Sequence, residues 1–154
     1  MNSTANIPDK KKLRRIGETC TCFGLRKAAR AVTQAFDDAL QSGGLRATQF
    51  TLLTAVSLMG TVTISKLAQG MVMDRTTLTR NLRPLEKNGW LSIVPGKDRR
   101  TRAIEVTARG RKVLARAIPL WEEVQSGVVR KIGRKNWDAL MGNLSQVTEQ
   151  INPY

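Results

Sequence analysis

The sequence predicts a mainly α-helical fold with one small β-hairpin, and three observations lead to this fold class. Along most of the 154 residues, apolar side chains recur three and four positions apart, which is typical of helices that bury one side. Two strand-like segments, Trp90–Val94 and Arg102–Val106, flank a turn that begins with Pro95 and Gly96. Directly before this hairpin, the spacing predicts two short helices joined by a brief turn.

Composition indicates a polyanionic partner. The chain has 26 Lys and Arg against 12 Asp and Glu, a net charge of +14, and a length that fits one domain with a real core. Residues 74–112 hold eleven basic and four acidic residues, so half of the net charge falls in a quarter of the chain. Excess charge that serves only solubility has no reason to concentrate in this way. We therefore expect nucleic acid as the partner, ahead of a membrane surface.

The N-terminal third is predicted as a basic arm followed by two helices. Residues 1–20 are rich in lysine and arginine, a pattern typical of a solvated arm that leads into a helix. A helical apolar stripe follows from about residue 22 to residue 40 and stops at Gln-Ser-Gly-Gly. A second helix is expected after Thr48 and ends near Gly60. Residues 61–63 are β-branched at all three positions and too few for more than an edge strand.

The next segment predicts a helix-turn-helix. A short helix over about Ile64–Gln69 is followed by a turn and by a helix that Asp74 can cap, because its carboxylate can accept from the backbone N–H groups of the first turn. Gly89 suits the position after the last turn, and Pro84 predicts a kink or loosened last turns. The inward side of this helix carries Leu78, Leu82 and Leu85.

A long helix is predicted after the hairpin, capped by Thr107 and running to about Lys131. A final helix covers residues 134–151. Together with the helix at the other end of the chain, these helices carry more apolar surface than a winged helix of this size needs for its own core. The surplus favours a dimer.

The polar side of the Asp74 helix is predicted to read double-stranded DNA. A helix-turn-helix followed by a hairpin is a winged helix, and the major groove admits a helix whose early side chains reach base edges. Arginine pairs with guanine, asparagine with adenine, and threonine offers a hydroxyl and a methyl group; an ordinary solvated face would carry more Glu and Lys. The candidate residues are Arg75, Thr76, Thr77, Thr79, Arg80, Asn81 and Arg83.

The hairpin tip adds a second candidate DNA contact. An arginine on a thin ribbon can enter the narrow minor groove beside the helix, and a neighbouring carboxylate can hold it in place by charge-assisted hydrogen bonds. A solvated charged turn is the alternative interpretation, mainly for the lysine. The tip residues are Lys97, Asp98, Arg99, Arg100 and Arg102.

The segment from Ile64 to Gly110 resembles the MarR family of bacterial transcriptional regulators. The resemblance rests on Leu67-Ala68, the helix start at Asp74, Leu85-Glu86 before Gly89, the pair Asp98 and Arg100 in the wing, and the Val106 to Gly110 entry into the next helix. It is dense over about residues 61–114, and the order and spacing of these motifs make it specific.

The resemblance implies a homodimer whose N- and C-terminal helices interlock, with one winged helix per subunit. In that arrangement residues 21–154 form a single domain, with the DNA-binding winged helix at about 48–107 and dimerisation helices at about 21–42 and 108–151. It further implies a repressor of a pseudo-palindromic operator, released by a small ligand or an oxidant. Family behaviour assigns the wing-tip minor-groove contact to Arg100, with Asp98 as its partner.

A cysteine supplies one candidate switch. Cys22-Phe23 resembles the oxidised position of the organic-peroxide sensors within this family, but the tyrosines expected four and fourteen residues later are replaced by Arg26 and Phe36. A structural thiol without redox work is the competing interpretation, for Cys20 as well. A small-molecule pocket is the family's other device. Candidate pocket residues are Arg26, Phe36, Phe50 and Met59.

Other functions fit less well. The chain has no histidine, phosphate-binding glycine loop or paired carboxylates, so we expect no enzyme, cofactor or metal site. Two alternatives stay open: a DNA-packaging protein without sequence preference, and a thiol protein that reacts with peroxide through Cys22. No apolar run suits a membrane span or a signal peptide, which predicts a cytoplasmic protein with no membrane partner.

Overall fold

The structure, a computed structural model, describes residues 9–96 and 101–151, and within them the predicted fold class is confirmed. Helices account for most of these residues, and a small antiparallel sheet has one strand before the helix-turn-helix and two after it. The elements are α1 Lys10–Thr19, α2 Thr21–Leu40, α3 Ala47–Met59, β1 Val62–Thr63, α4 Ile64–Gly70, α5 Arg75–Lys87, β2 Leu91–Pro95, β3 Arg102–Val106, α6 Ala108–Ile132 and α7 Arg134–Ile151.

The chain divides into two compact units, the first ending at Ala35 and the second beginning at Phe36. The first contains α1 and most of α2. Residues 10–19 form helix α1, whereas the sequence predicted a solvated arm there. Asp9 stabilises the start of this helix by accepting a hydrogen bond from the backbone N–H of Lys11 at 3.0 Å. The helix is amphipathic, and all of its residues are exposed.

The second unit contains a continuous apolar core. It is built from the inward faces of α3, α4 and α5 and from β3 and α6. Each of these three helices contributes at least one leucine that has no exposed surface. The ring of Phe50 on α3 stacks on Trp121 of α6, with centroids 6.2 Å apart. The largest fully buried side chains are Leu40, Leu45, Leu52, Leu53, Leu67, Leu78, Leu85, Ile104 and Val56.

The sheet has three strands in the order β1-β3-β2, all antiparallel. Strand β1 pairs through Val62 opposite Ile104, which confirms the edge strand expected at residues 61–63. Strands β2 and β3 form the predicted hairpin, with Leu91 opposite Val106 and Pro95 opposite Arg102. The central strand β3 therefore ties the start of the helix-turn-helix to the wing.

One junction connects α5, the wing and α6. Thr107 caps α6 by accepting from the Gly110 backbone at 3.0 Å, and its hydroxyl donates to the Gly89 carbonyl at 2.7 Å. Gly89 has φ +67°, the left-handed conformation that its place after α5 requires. A side chain at Gly110 would collide with the Trp90 carbonyl. The close approach of the α6 start to the wing therefore needs glycine there.

Helices α6 and α7 keep much apolar surface uncovered. On α7 no residue is buried, and Leu140, Met141 and Ile151 are 42%, 44% and 71% exposed.

Both α5 and α6 run without interruption through a proline, Pro84 and Pro119 respectively. None of the helices within residues 9–96 and 101–151 has the combined length and apolar character needed to cross a membrane.

Candidate nucleic-acid interface

The start of α5 is held by a local cap. The Asp74 carboxylate accepts a hydrogen bond from the backbone N–H of Thr77 at 2.8 Å, as the sequence predicted. Hydrogen bonds from the Thr77 side chain, followed by that from its backbone, hold the pKa of Asp74 below its ordinary value. The carboxylate is therefore ionised at neutral pH, and its negative charge is attracted to the positive end of the helix dipole.

Five of the seven predicted reading residues form one exposed face of α5. At 100° per residue they fall within an arc of about 140°, opposite the leucines that the core buries. None of their three arginines forms an ion pair with another described residue. The salt bridge in the described part of the chain joins Arg134 to Asp138. The face consists of Arg75, Thr76, Thr79, Arg80 and Arg83.

The other two predicted reading residues, Thr77 and Asn81, are half-buried at the border of that face. The Asn81 amide donates to the sulfur of Met73 at 3.7 Å, while Thr77 is hydrogen-bonded to Asp74. The hydroxyl of Thr79 donates to the Arg75 carbonyl at 2.7 Å. Part of the polar set thus makes contacts within the helix-turn-helix, which periodicity did not reveal.

The turn before α5 contains a conformation that sequence reasoning missed. Val72 has φ +49°, in the left-handed region that β-branched residues rarely occupy. Backbone hydrogen bonds hold the turn on both sides, from Val72 to the Gln69 carbonyl at 3.1 Å and from Met73 to the Ala68 carbonyl at 2.9 Å. Nothing in the local sequence marks Val72, because glycine or asparagine is the usual signal for this conformation.

The predicted wing tip is described in part. Arg102 is exposed at the first position of β3, opposite Pro95. The predicted residues Lys97, Asp98, Arg99 and Arg100 lie outside the described residues. The contact assigned to the tip therefore stays a prediction.

Two of the four candidate pocket residues, Phe36 and Phe50, belong to the core of the second unit. Phe50 is buried against Trp121, and Phe36 packs at the edge of the same core. Met59 lies instead beside a groove of about 800 Å³ whose lining includes Val62 and Lys66. Arg26 is exposed on α2 in the first unit.

The two cysteines lie at the boundary between α1 and α2. Cys20 follows the last residue of α1 and is half-buried. Cys22 occupies the second position of α2 and is exposed. Both are free thiols, and the exposed one is accessible to an oxidant.

Comparison with known proteins gives a consistent family. A family model described as the MarR family matches residues 45–101. The HTH-type transcriptional regulator YwoH of Bacillus subtilis is 25% identical over 88 residues, which are 57% of this chain. The chain spans 64% of the length of that curated relative.

Two solved structures extend the similarity to nearly the whole fold. The M. tuberculosis transcriptional regulator MosR, in complex with DNA, is 41% identical, with a TM-score of 0.73 over 86% of this chain and 98% of that chain. A mutant of MarR from E. coli complexed with operator DNA is 18% identical, with a TM-score of 0.77 over 91% of this chain and 99% of that chain. The second likeness concerns the fold alone.

Proposed function

We propose, from the premise that this chain belongs to the MarR family of DNA-binding transcriptional regulators, that it is a homodimeric repressor of a pseudo-palindromic operator. The observation that carries the proposal is the exposed face of α5. Three arginines without ion-pair partners among the described residues and two threonines share that face, while its opposite side is anchored in the core. Such a face offers the donors and methyl groups that base edges in the major groove can pair with.

In this proposal the first two turns of α5 contact bases, and the rest of the face contacts phosphates. Arg75 and Thr76 are closest to the capped N-terminus, the end at which recognition helices reach base edges. Arg80 lies one turn further along the same arc. Arg83 and Arg102 add positive charge, and the wing tip is proposed to enter the adjacent minor groove. The solved complex of MosR with DNA supports DNA as the ligand.

The homodimer is supported by the uncovered apolar side of α7. A side of this kind is stabilised by burial against a second chain, and a closed two-fold dimer is the commonest way to achieve it. Two-fold symmetry would place two α5 helices about one helical turn of DNA apart, which predicts an inverted repeat with that spacing.

Release from the operator is proposed to follow ligand binding or oxidation of Cys22. The thiol is exposed at the start of α2, which makes it accessible to a hydroperoxide that would convert it to a sulfenic acid and leave as the alcohol. Comparing operator affinity before and after cumene hydroperoxide, in the parent, Cys22→Ser and Cys20→Ser, separates the two mechanisms. Loss of affinity that only Cys22→Ser prevents supports oxidation, and no loss in any of them leaves the ligand as the inducer.

Operator selection tests the function itself. The protein is titrated against pooled intergenic fragments of its own genome at physiological salt, with random duplex as competitor. A repressor should favour its site by at least about 10³-fold. Equal binding to every fragment would instead identify a packaging protein.

The proposed reading face is tested on the selected operator. Arg80→Ala removes one arginine from the exposed face. We expect the free energy of operator binding to weaken by about 1–3 kcal/mol and the sequence preference to relax at one base pair of each half-site. Lys87→Ala, in the last turn of the same helix, is the matched control and should keep the base preference. Unchanged base preference in Arg80→Ala would remove this residue from the site.

A further inference from the structure

Helix α1, outside the winged helix, presents a mainly basic face that also includes Glu18 near its C-terminal end. At 100° per residue its five cations fall within an arc of about 200°, and Leu13 and Ile16 lie on the opposite side. The helix is exposed throughout, with Leu13 and Ile16 at 50% and 52%. The five cations are Lys10, Lys11, Lys12, Arg14 and Arg15.

No ion pair neutralises the cations of this face within the described residues. Lys10 and Arg14, and likewise Lys11 and Arg15, stand four positions apart, where like charges on a helix repel each other. Glu18 is the acidic residue of the helix, and no ion pair forms between it and these cations in the described part of the chain. With five cations and one acidic residue, the face keeps a net positive charge and is therefore complementary to a polyanion.

We propose that α1 binds the phosphate backbone of duplex DNA beside the operator. The location beside an operator rests on the proposed function, whereas the contact itself needs only DNA, the ligand of this family. Double-stranded DNA carries one charge per roughly 1.7 Å of helix axis, so a helix with cations on successive turns can neutralise several phosphates. Such contacts strengthen binding and carry no sequence information.

Duplex DNA fits this face better than an anionic membrane does. A helix that lies in a membrane interface needs a broad apolar side, typically with Trp, Phe or several Leu residues. Over its ten residues α1 offers Leu13 and Ile16 as large apolar side chains, and it contains no aromatic residue. Its basic side is the larger one, as phosphate binding requires.

The salt dependence of DNA binding measures these contacts directly. Each phosphate contact contributes about 0.9 to the slope of log K against log salt. In a dimer, Lys11→Gln with Arg15→Gln removes up to four contacts, so the magnitude of the slope should fall by roughly 2 to 4. Because the contacts are independent of sequence, the fall should be the same on operator and on random duplex.

Two variants serve as matched controls. Lys131→Gln with Lys135→Gln removes the same charge four positions apart at the boundary of α6 and α7, and it should leave the slope near that of the parent. Lys11→Arg with Arg15→Lys keeps the charge of α1 and should keep the slope. Circular dichroism and sedimentation verify that each variant remains folded and in the parent's oligomeric state.

Duplex length gives a second measurement that a structural role of α1 would not change. Extending a minimal operator by one helical turn on each side should strengthen binding by the parent and much less by Lys11→Gln with Arg15→Gln. A parent that gains nothing from the longer duplex overturns the proposal.

The remaining outcomes separate this inference from the proposed function. A slope unchanged by the α1 variant on both duplexes overturns the inference even if operator selection succeeds. A reduced slope on random duplex supports it even if no operator is selected. Anionic vesicles of phosphatidylglycerol and phosphatidylcholine are the competing probe. Vesicle binding that depends on Lys11 and Arg15, with an unchanged DNA slope, would assign α1 to a membrane surface.

Discussion

Helices α5 and α7 have the same kind of amphipathic pattern but opposite surroundings. In α5 the apolar stripe of Leu78, Leu82 and Leu85 is 0–5% exposed, because α3, α4 and the sheet cover it. In α7 the stripe that includes Leu140 and Met141 is more than 40% exposed at both residues. Among the described residues, one helix has its apolar stripe fully covered, and the other leaves part of its stripe exposed.

The difference shows how a helix becomes a functional surface. A helix whose apolar side is fully packed holds its polar side in a defined orientation, which reading a DNA groove requires. A helix whose apolar side meets water instead gains about 25 cal/mol for each Å² that a second chain removes from solvent. We therefore assign DNA contact to α5 and dimerisation to α7 in the proposed repressor.

The largest expected effect comes from charging the apolar side of α7. Leu140→Glu with Met141→Glu should convert the proposed dimer to monomer, because four buried carboxylates would face one another across the interface. Operator affinity should then fall by roughly 10²–10⁴-fold through the loss of two-site binding. Sedimentation gives the mass, and a titration gives the affinity.

The control for this charge places it on the other side of α7. Asn143→Glu with Gln146→Glu adds the same charge at exposed positions and should leave the mass of the particle unchanged. A dimer that persists in Leu140→Glu with Met141→Glu would contradict the assignment of α7.

A smaller expected effect comes from removing packing beneath α5. Leu78→Ala should lower the free energy of unfolding by about 2–5 kcal/mol, since a leucine without exposed surface leaves a cavity. Denaturant unfolding measures the change. Thr76→Ala, on the exposed face of the same helix, should stay within about 0.5 kcal/mol of the parent. Equal losses in the two variants would mean that the core does not anchor α5.

A substitution in the turn that precedes α5 should make the protein more stable. Val72→Asn should raise the free energy of unfolding by about 1 kcal/mol, because asparagine tolerates the left-handed conformation that costs valine roughly 1–2 kcal/mol. Val72→Ala keeps a Cβ and should gain less. Thermal unfolding measures both, and a destabilised Val72→Asn would show that the valine side chain contributes more by packing than it loses by strain.

The smallest expected effect concerns the charge at the start of α5. The pKa of Asp74 is lowered by hydrogen bonds from Thr77, so its contribution to stability is present above the ordinary aspartate pKa and is lost as pH falls through the lowered one. Asp74→Asn keeps an oxygen acceptor and should flatten this acid-side slope. Denaturant unfolding from neutral to strongly acidic pH tests it, and parallel curves for parent and variant would contradict the assignment.

Much of the fold followed from local pattern. The spacing of Leu78, Leu82 and Leu85 predicted α5, and Asp74 and Thr107 marked helix starts that the structure confirms. Pro95 and Gly96 indicated the hairpin, whose strands pair as expected. Helix periodicity, capping and turn chemistry each act within a few residues, so one sequence is enough to reveal them.

Contacts between distant segments were decided by the tertiary structure. The pairing of Val62 with Ile104, the stacking of Phe50 on Trp121, and the uncovered side of α7 depend on residues far apart in the chain. The turn of Asn81 toward Met73 and the left-handed Val72 depend on how α4 meets α5. A polar side chain can face solvent or a neighbouring element with the same local pattern. The sequence by itself therefore determined which helices follow residue 20 and which residue types line them, whereas α1 was predicted as an arm. The packing of those helices determined which polar groups remain free to contact DNA and which apolar side remains free for a second chain.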